Sequence, residues 1–232
     1  LFRSPCVDTG GVLALVSRPT FDPNLFVQGL TTEQWQQWSN DPEHPLLDKA
    51  IQAQLAPGSV FKIIMSVAGL QENVAQTMHV DCEGGATFYG HFYACDRHHG
   101  AVNIYNAIPY SCDTFFYTLA NRLGIDTIAK YAESLGIGEK TGVDLPDEAA
   151  GTMPSTEWKL KTQHAPWYAG ETISVGIGQG AITVTPLQLA RALGGIASGG
   201  VMYRPPLVFP DEVPPQELES IHETFPSSGD KT

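Results

Sequence analysis

The stretch LAPGSVFKII, residues 55–64, decides the fold. It places Ser59 and Lys62 three positions apart, directly after Pro57-Gly58 and inside the apolar run Val60, Phe61, Ile63, Ile64 and Met65. From Ser59 to Gln71 the apolar positions Phe61, Ile64, Met65 and Ala68 recur at helical spacing, which predicts a helix starting at Ser59. Residues i and i+3 share a helix face, so the Ser59 hydroxyl should lie within reach of the Lys62 amine. Burial penalises the charged form of an amine, and a neutral amine can take the serine proton and make the hydroxyl a nucleophile. Free N–H groups at the helix start suit developing negative charge. The bland reading is a lysine that snorkels from a half-buried helix. Spacing alone does not separate the two, because Ser228-Gly-Asp-Lys231 matches it as well.

The surrounding chain has 232 residues, 42% hydrophobic and 16% charged, enough apolar content for one globular domain or one domain with lobes. A net charge of -12 speaks against nucleic acid, which needs a basic face, and against adsorption to anionic lipid. No run approaches the ~20 apolar residues of a membrane span. The opening, LFRSPCVDTGGVLALVS, reads as two strands around a turn, with Val12–Ser17 a buried strand. A domain rarely begins inside a hairpin, so the expectation is a piece of a longer protein with any anchor upstream.

Residues 18–58 are rich in Pro, Asn, Asp and Gln, with a helical turn expected near Thr32–Trp35. His79 to Gly100 reads as irregular. Ile104 to Leu123 reads as helical with a break near Ser111, and Ile125 to Leu135 as a helix closed by Gly136. Thr172–Ile177 reads as a strand, and Pro186–Ala197 as a helix with Pro in its first turn. The expected architecture is mixed α/β (α+β): a helical lobe plus an incomplete antiparallel sheet over residues 1–208, then a mobile tail or incomplete insertion over 209–232.

A partner for the Ser-Lys pair follows in Ser111-Cys112-Asp113, ahead of the apolar run Thr114–Tyr117. A Ser-x-Asp or Ser-x-Asn element supplies a second hydroxyl for proton relay and a polar group to hold a substrate amide. In isolation the same residues are ordinary helix N-caps. Both motifs in this order strengthen the catalytic reading. PGSVFK, SCDTFFY and SVGIGQGAITVTPLQLARA, with TGGVLALVSRPTFDPNLF, GEKTGVDLPDE and MPSTEWK, resemble the transpeptidase domain of class B penicillin-binding proteins, in particular the elongation-type D,D-transpeptidases. The resemblance runs from about residue 8 to residue 207. It implies a penicillin-binding protein and serine β-lactamase-like fold. It also implies a Ser59 nucleophile acting on D-Ala-D-Ala stem peptides of peptidoglycan, Lys62 as base, and Ser111 and Asp113 as the second motif. Asp113 stands where Asn is commoner. Further implications are acylation of Ser59 by β-lactams, a membrane glycosyltransferase and elongation-complex proteins as partners, and a place at the periplasmic face of the bacterial inner membrane.

The family has a third motif, Lys-Ser/Thr-Gly on a strand. Lys140-Thr141-Gly142 has that composition, but its setting, GIGEKTGVDLPDE, has Gly, Asp and Pro on both sides and no strand periodicity. It is read as a structural loop, and the true third motif is expected beyond this chain.

Cys82, Cys95, His98, His99 and Cys112 crowd one stretch. Structural zinc takes four tetrahedral S or N ligands. A Cys82–Cys95 disulfide or buried free thiols are the alternatives. The resemblance implies a zinc set of Cys82, Cys95, His99 and Cys112, with His98 a possible substitute because the Cys95-to-His99 gap is short. Zinc on Cys112 would fix Ser111 and Asp113 in place. Cys6 fits no cluster and reads as a buried thiol or boundary residue. Competing functions are a β-lactam-sensing domain, a β-lactamase-like enzyme, for which no deacylation base stands out, and an inactive fragment.

Overall fold

A computed structural model describes the backbone of residues 3–5 and the whole of residues 9–207. Cys6 and the segment 209–232 lie outside the described residues. The chain forms two compact units. The first is discontinuous, built from residues up to Gln54, from Lys140–Ala150 and from Thr185 onward. The second comprises Leu55–Glu139 and Gly151–Val184.

In the first unit, β1 (Arg3–Pro5) pairs antiparallel with β2 (Val12–Ala14). The Val12–Ser17 segment is shorter as a strand than its sequence suggests and only partly buried, with Leu13 61% exposed. Helices α1 (Asn24–Gln28) and α2 (Thr32–Ser39) follow. Thr31 and Gln34 form a reciprocal capping box on α2, which is why a helix starts in so polar a segment. Ala50, Ile51, Val143 and Leu187 make the core of this unit, with Leu15, Leu145 and Leu207 packed against it.

The second unit begins with a 3₁₀ turn, Gly58–Val60, that runs into α3 (Phe61–Gln71). Phe61, Ile64, Met65 and Ala68, the predicted apolar face, are all fully buried. The segment from His79 to Gly100 is not irregular. It is a long antiparallel hairpin of β3 (Val80–Phe88) and β4 (His91–Val102). Tyr89 and Gly90 both take positive φ at its tip, the backbone of a two-residue type I′ turn. The hairpin escaped the reading because it is mostly solvent-exposed, carries two register shifts near Cys82–Gly85, and so shows no alternation of apolar and polar residues.

Beyond the hairpin come α4 (Ile104–Ala107) and α5 (Asp113–Leu123), with the expected break at Ser111, then α6 (Ile125–Ser134). The α3 helix packs on α5 and α6, and α5 packs on the hairpin. Next come α7 (Thr156–Gln163) and α8 (Ala169–Val175). The strand expected at Thr172–Ile177 is therefore a helix and its C-terminal turn. Glu171 caps the start of α8 by accepting from the Tyr168 N–H, and Ile173 and Val175 bury on the α5 side. Tertiary packing overrides the β propensity of Thr, Ile and Val here. Back in the first unit, α9 (Pro186–Ala197) has the predicted bounds, opened by a Thr185–Gln188 capping box. Among the described residues no helix is long and apolar enough to cross a membrane.

Candidate active site and metal centre

Ser59 sits exposed on the 3₁₀ turn, and Lys62 lies in the first turn of α3, only 2% exposed. The lysine does not snorkel. Its Nζ donates to the Ser111 carbonyl at 2.8 Å, to Ser111 Oγ at 3.0 Å and to Asp113 Oδ1 at 2.5 Å. It also stands 5.6 Å from the centroid of the Phe116 ring. The link from Lys62 to Ser59 runs through Ser111, whose Oγ lies 3.1 Å from Ser59 Oγ. The sequence brought the two hydroxyls and the amine together correctly, but not in this order: Ser111 stands between the other two.

Local structure explains the order. Ser111 occupies the left-handed region, φ 50°, held by its N–H to the Ile108 carbonyl (2.9 Å) and by the Cys112 N–H to the Ala107 carbonyl (3.0 Å). That kink ends α4, starts α5 and aims both motif side chains at Lys62. Neither Ser111 nor Asp113 caps α5. Cys112 occupies the N-cap position and makes no side-chain cap bond, so the capping explanation of the motif fails.

Lys140-Thr141-Gly142 is a loop, as expected. The Thr141 N–H and hydroxyl and the Gly142 N–H all donate to the buried Glu148 carboxylate.

The second cluster lies beside the first. Cys82 comes from β3, Cys95 and His99 from β4, and Cys112 from the start of α5. Their four ligand atoms all lie within 4.8 Å of one another. His99 Nδ1 is 3.5 Å from both Cys82 Sγ and Cys95 Sγ. A tetrahedral zinc at ordinary bond lengths sets sulfur and nitrogen ligands about 3.5 Å apart, so the donor set fits the ion. His99 Nε2 is buried without a hydrogen bond and has the Asp96 carboxylate 3.7 Å away, the outer partner typical of a metal-bound imidazole. Cys82, Cys95 and Cys112 are free thiols, not a disulfide. Burial works against the Cys82 thiolate, but hydrogen bonds from the Thr114 hydroxyl and the backbone of His99 and Gly84 outweigh it and bring the thiol down to about 6. Burial pushes Cys112 up to about 12. His98 is exposed, with its ring against Gly84, and takes no part. Two contributors were not visible in the sequence. Tyr110 stacks on His99 at 5.6 Å, 7° from parallel, and Thr114 Oγ1 lies 3.2 Å from Cys82 Sγ.

A serine on a turn, a buried lysine one helical turn on, and a second serine joining them define the Ser-Lys class of acyl-transfer sites. The sequence matches the penicillin binding protein transpeptidase domain over residues 7–225, and the chain belongs to that family. It is 43% identical over 202 residues to the peptidoglycan D,D-transpeptidase MrdA of Acinetobacter baumannii, covering 83% of this chain and 29% of that protein. It superposes on the crystal structure of Pseudomonas aeruginosa PBP2 in complex with WCK 5153 with a TM-score of 0.82 at 40% identity, over 87% of this chain and 47% of the other. The PBP2 of Helicobacter pylori in its complex with MreC gives 0.81 at 32% identity, over 95% of this chain and 40% of the other. The chain thus spans less than half the length of these relatives.

Proposed function

We propose that this chain carries the first two catalytic motifs of a peptidoglycan D,D-transpeptidase of the elongation type. The observation that carries the proposal is the buried Lys62 joined to Ser59 through the Ser111 hydroxyl. Ser59 Oγ attacks the carbonyl carbon of the penultimate D-Ala of a stem peptide. Its proton passes to Ser111 Oγ while the Ser111 proton passes to a neutral Lys62 Nζ. Asp113 holds the resulting ammonium by a charge-assisted hydrogen bond. The carbonyl–nitrogen bond then breaks, and the terminal D-Ala leaves as the amine, protonated by the same relay run in reverse. An amine from a neighbouring stem attacks the Ser59 ester, gives up its proton to the relay, and leaves Ser59 as the free hydroxyl. A β-lactam enters at the first step, when Ser59 Oγ attacks its ring carbonyl and the ring carbon–nitrogen bond opens; the adduct persists because the nitrogen stays tethered and does not leave.

Cys82, Cys95, His99 and Cys112 are the residues that would hold a structural zinc ion, whose chemistry is to cross-link the hairpin to the start of α5. The Cys112 anchor lies between Ser111 and Asp113, so these residues steady the second motif. The substrate polymer places the reaction at the periplasmic face of the inner membrane. Partners by family are a membrane glycosyltransferase and other elongation proteins, in keeping with the MreC complex of the H. pylori relative.

The test is a native mass spectrum of the chain with and without benzylpenicillin, beside Ser59→Ala. A single penicilloyl adduct that disappears in Ser59→Ala is expected. An adduct that survives the substitution removes Ser59 from the role, as does a folded protein that carries the third motif as well and stays unlabelled. In the same spectrum, a mass excess of one zinc that is lost on acidification is expected, and its absence in Cys112→Ala.

A further inference from the structure

We propose that the Gly176–Gly180 turn after α8 is a spacer that sets the separation of Ser59 from the Ser111–Asp113 motif, with Gly176 and Gly178 as positioning residues; this rests on the acyl-transfer reading of Ser59 above. The turn is tightly tied: Gly176 N–H bonds to Thr172 O (3.0 Å), Gly178 N–H to Val175 O (2.8 Å) and Gln179 N–H to Ser174 O (3.0 Å). It touches both halves of the catalytic array.

On one side, Gly178 abuts the nucleophile turn. The N–H of Gly58, next to Ser59, donates to the Gly178 carbonyl at 2.9 Å. A Cβ on Gly178 would stand 2.3 Å from Gly58 O, 2.8 Å from Gly58 N and 2.9 Å from Phe61 Cβ. Backbone meets backbone here, so nothing flexible can give way. On the other side, Gly176 abuts α5. A Cβ there would stand 2.5 Å from Ala120 Cβ and 2.9 Å from the Phe116 carbonyl. Helix α5 begins at Asp113, and the ring of Phe116 stands 5.6 Å from Lys62 Nζ. Two glycines two positions apart thus rest on the serine turn and on the motif helix at once. The 3.1 Å separation of Ser59 Oγ and Ser111 Oγ is the quantity this spacer fixes. A hydroxyl relay fails when its members part by even ~1 Å, a misplacement that can cost on the order of 100-fold in rate.

The turn supplies its own control. Gly180 shares the positive φ of Gly178, 83° against 70°, but a Cβ on it would meet only Ser174 Cβ, at an ordinary 3.5 Å. Backbone strain is therefore common to Gly178→Ala and Gly180→Ala, while pressure on the serine turn belongs to Gly178→Ala alone.

The experiment is stopped-flow acylation of the chain by a fluorescent penicillin, resolving the non-covalent dissociation constant from the acylation rate constant, with melting temperatures measured alongside. Gly178→Ala should lower the acylation rate constant about 100-fold while the dissociation constant moves less than about threefold, and Gly180→Ala should keep the rate within about threefold. Equal losses in the two variants, or a loss confined to the dissociation constant, overturn the spacer. Should Gly178→Ala fail to fold, the other face decides. Gly176→Ala should slow acylation, and adding Ala120→Gly, which removes the nearer contact and leaves the Phe116 carbonyl at 2.9 Å, should recover part of the rate; a Gly176→Ala protein acylated as fast as wild type overturns the proposal. A wild-type protein that carries the third motif as well and is not acylated at all sinks the acyl-transfer reading instead, a result distinct from any of these.

Discussion

Lys62 shows what a single residue contributes. Its amine has three partners, two on Ser111 and one on Asp113, and almost no exposure to water. Replacing it with Met leaves the Asp113 carboxylate without its Lys62 hydrogen bond. Lys62→Met should abolish penicillin labelling and cost about 2 kcal/mol in urea unfolding. The double variant Lys62→Met/Asp113→Ala should lose less than the sum of the single losses, by about 1 kcal/mol, because the carboxylate left unpaired is gone. Additive losses would mean the pair is not coupled. At this scale the sequence was nearly sufficient. Ser59, Lys62, Ser111 and Asp113 were all singled out from spacing, composition and resemblance, and the structure links them through hydrogen bonds. The relay order was not, because it depends on the left-handed Ser111 backbone, and a Ser-Cys dipeptide gives no local sign of positive φ. The Tyr110 and Thr114 contributions were hidden for a related reason: each is a contact between side chains of different segments, which the chain's turning creates.

Among the elements, α8 and the 140–150 loop make separate predictions. Lys159 of α7 is buried and binds both oxygens of Glu171 at the start of α8, with the rings of Trp167 and Tyr168 over its ammonium. Desolvation opposes the Glu171 carboxylate, but the Lys159 hydrogen bond, the Tyr168 N–H and the Lys159 charge hold it below the ordinary glutamate range. A carboxyl group lowered on folding adds stability that is complete above its unfolded pKa and lost as pH falls through the folded one. The gap in melting temperature between wild type and Glu171→Gln should therefore be constant near neutrality and close in acid below about pH 4. A gap that persists unchanged into that range would contradict the pairing. In the 140–150 loop, Glu148→Ala strands the Thr141 and Gly142 donors and should cost about 2 kcal/mol by urea unfolding. Lys140→Ala should change stability by less than about 0.5 kcal/mol and leave penicillin labelling untouched; lost labelling would make this lysine part of the site. Helices with apolar periodicity or clear caps, α3, α5, α6 and α9, were legible in advance. The β3–β4 hairpin and α8 were not: the first has no buried face to impose a period of two, and the second has strand-forming residues that a cap and packing on α5 hold in a helix.

For the molecule as a whole, the four-residue cluster draws on three elements of the second unit: β3, β4 and the start of α5. If zinc occupies it, stripping the ion with a chelator should lower the melting temperature by about 10 °C and slow acylation, with both restored by stoichiometric zinc. A chelator that leaves both unchanged would return the cluster to a set of buried thiols. The mixed fold class was readable from the order of elements, and the segments carrying the family likeness reach across both units. The division into units was not readable. It depends on contacts such as the Val12 N–H to the Pro206 carbonyl, 3.1 Å, and the Leu187 N–H to the Ala50 carbonyl, 3.1 Å, which no local window contains.

That discontinuity has a consequence for how the chain is made. A ribosome releases residues in order, at about 5 to 20 per second. The second unit is complete once Val184 has emerged, whereas the core of the first must wait for Leu187 and its β2 for Pro206. The nascent chain thus finishes its second unit while Ala50 and Ile51 still lack Leu187 and Val12 still lacks Pro206. Vectorial synthesis lets the unit that holds Ser59 close first and leaves Val12 waiting for its carbonyl partner.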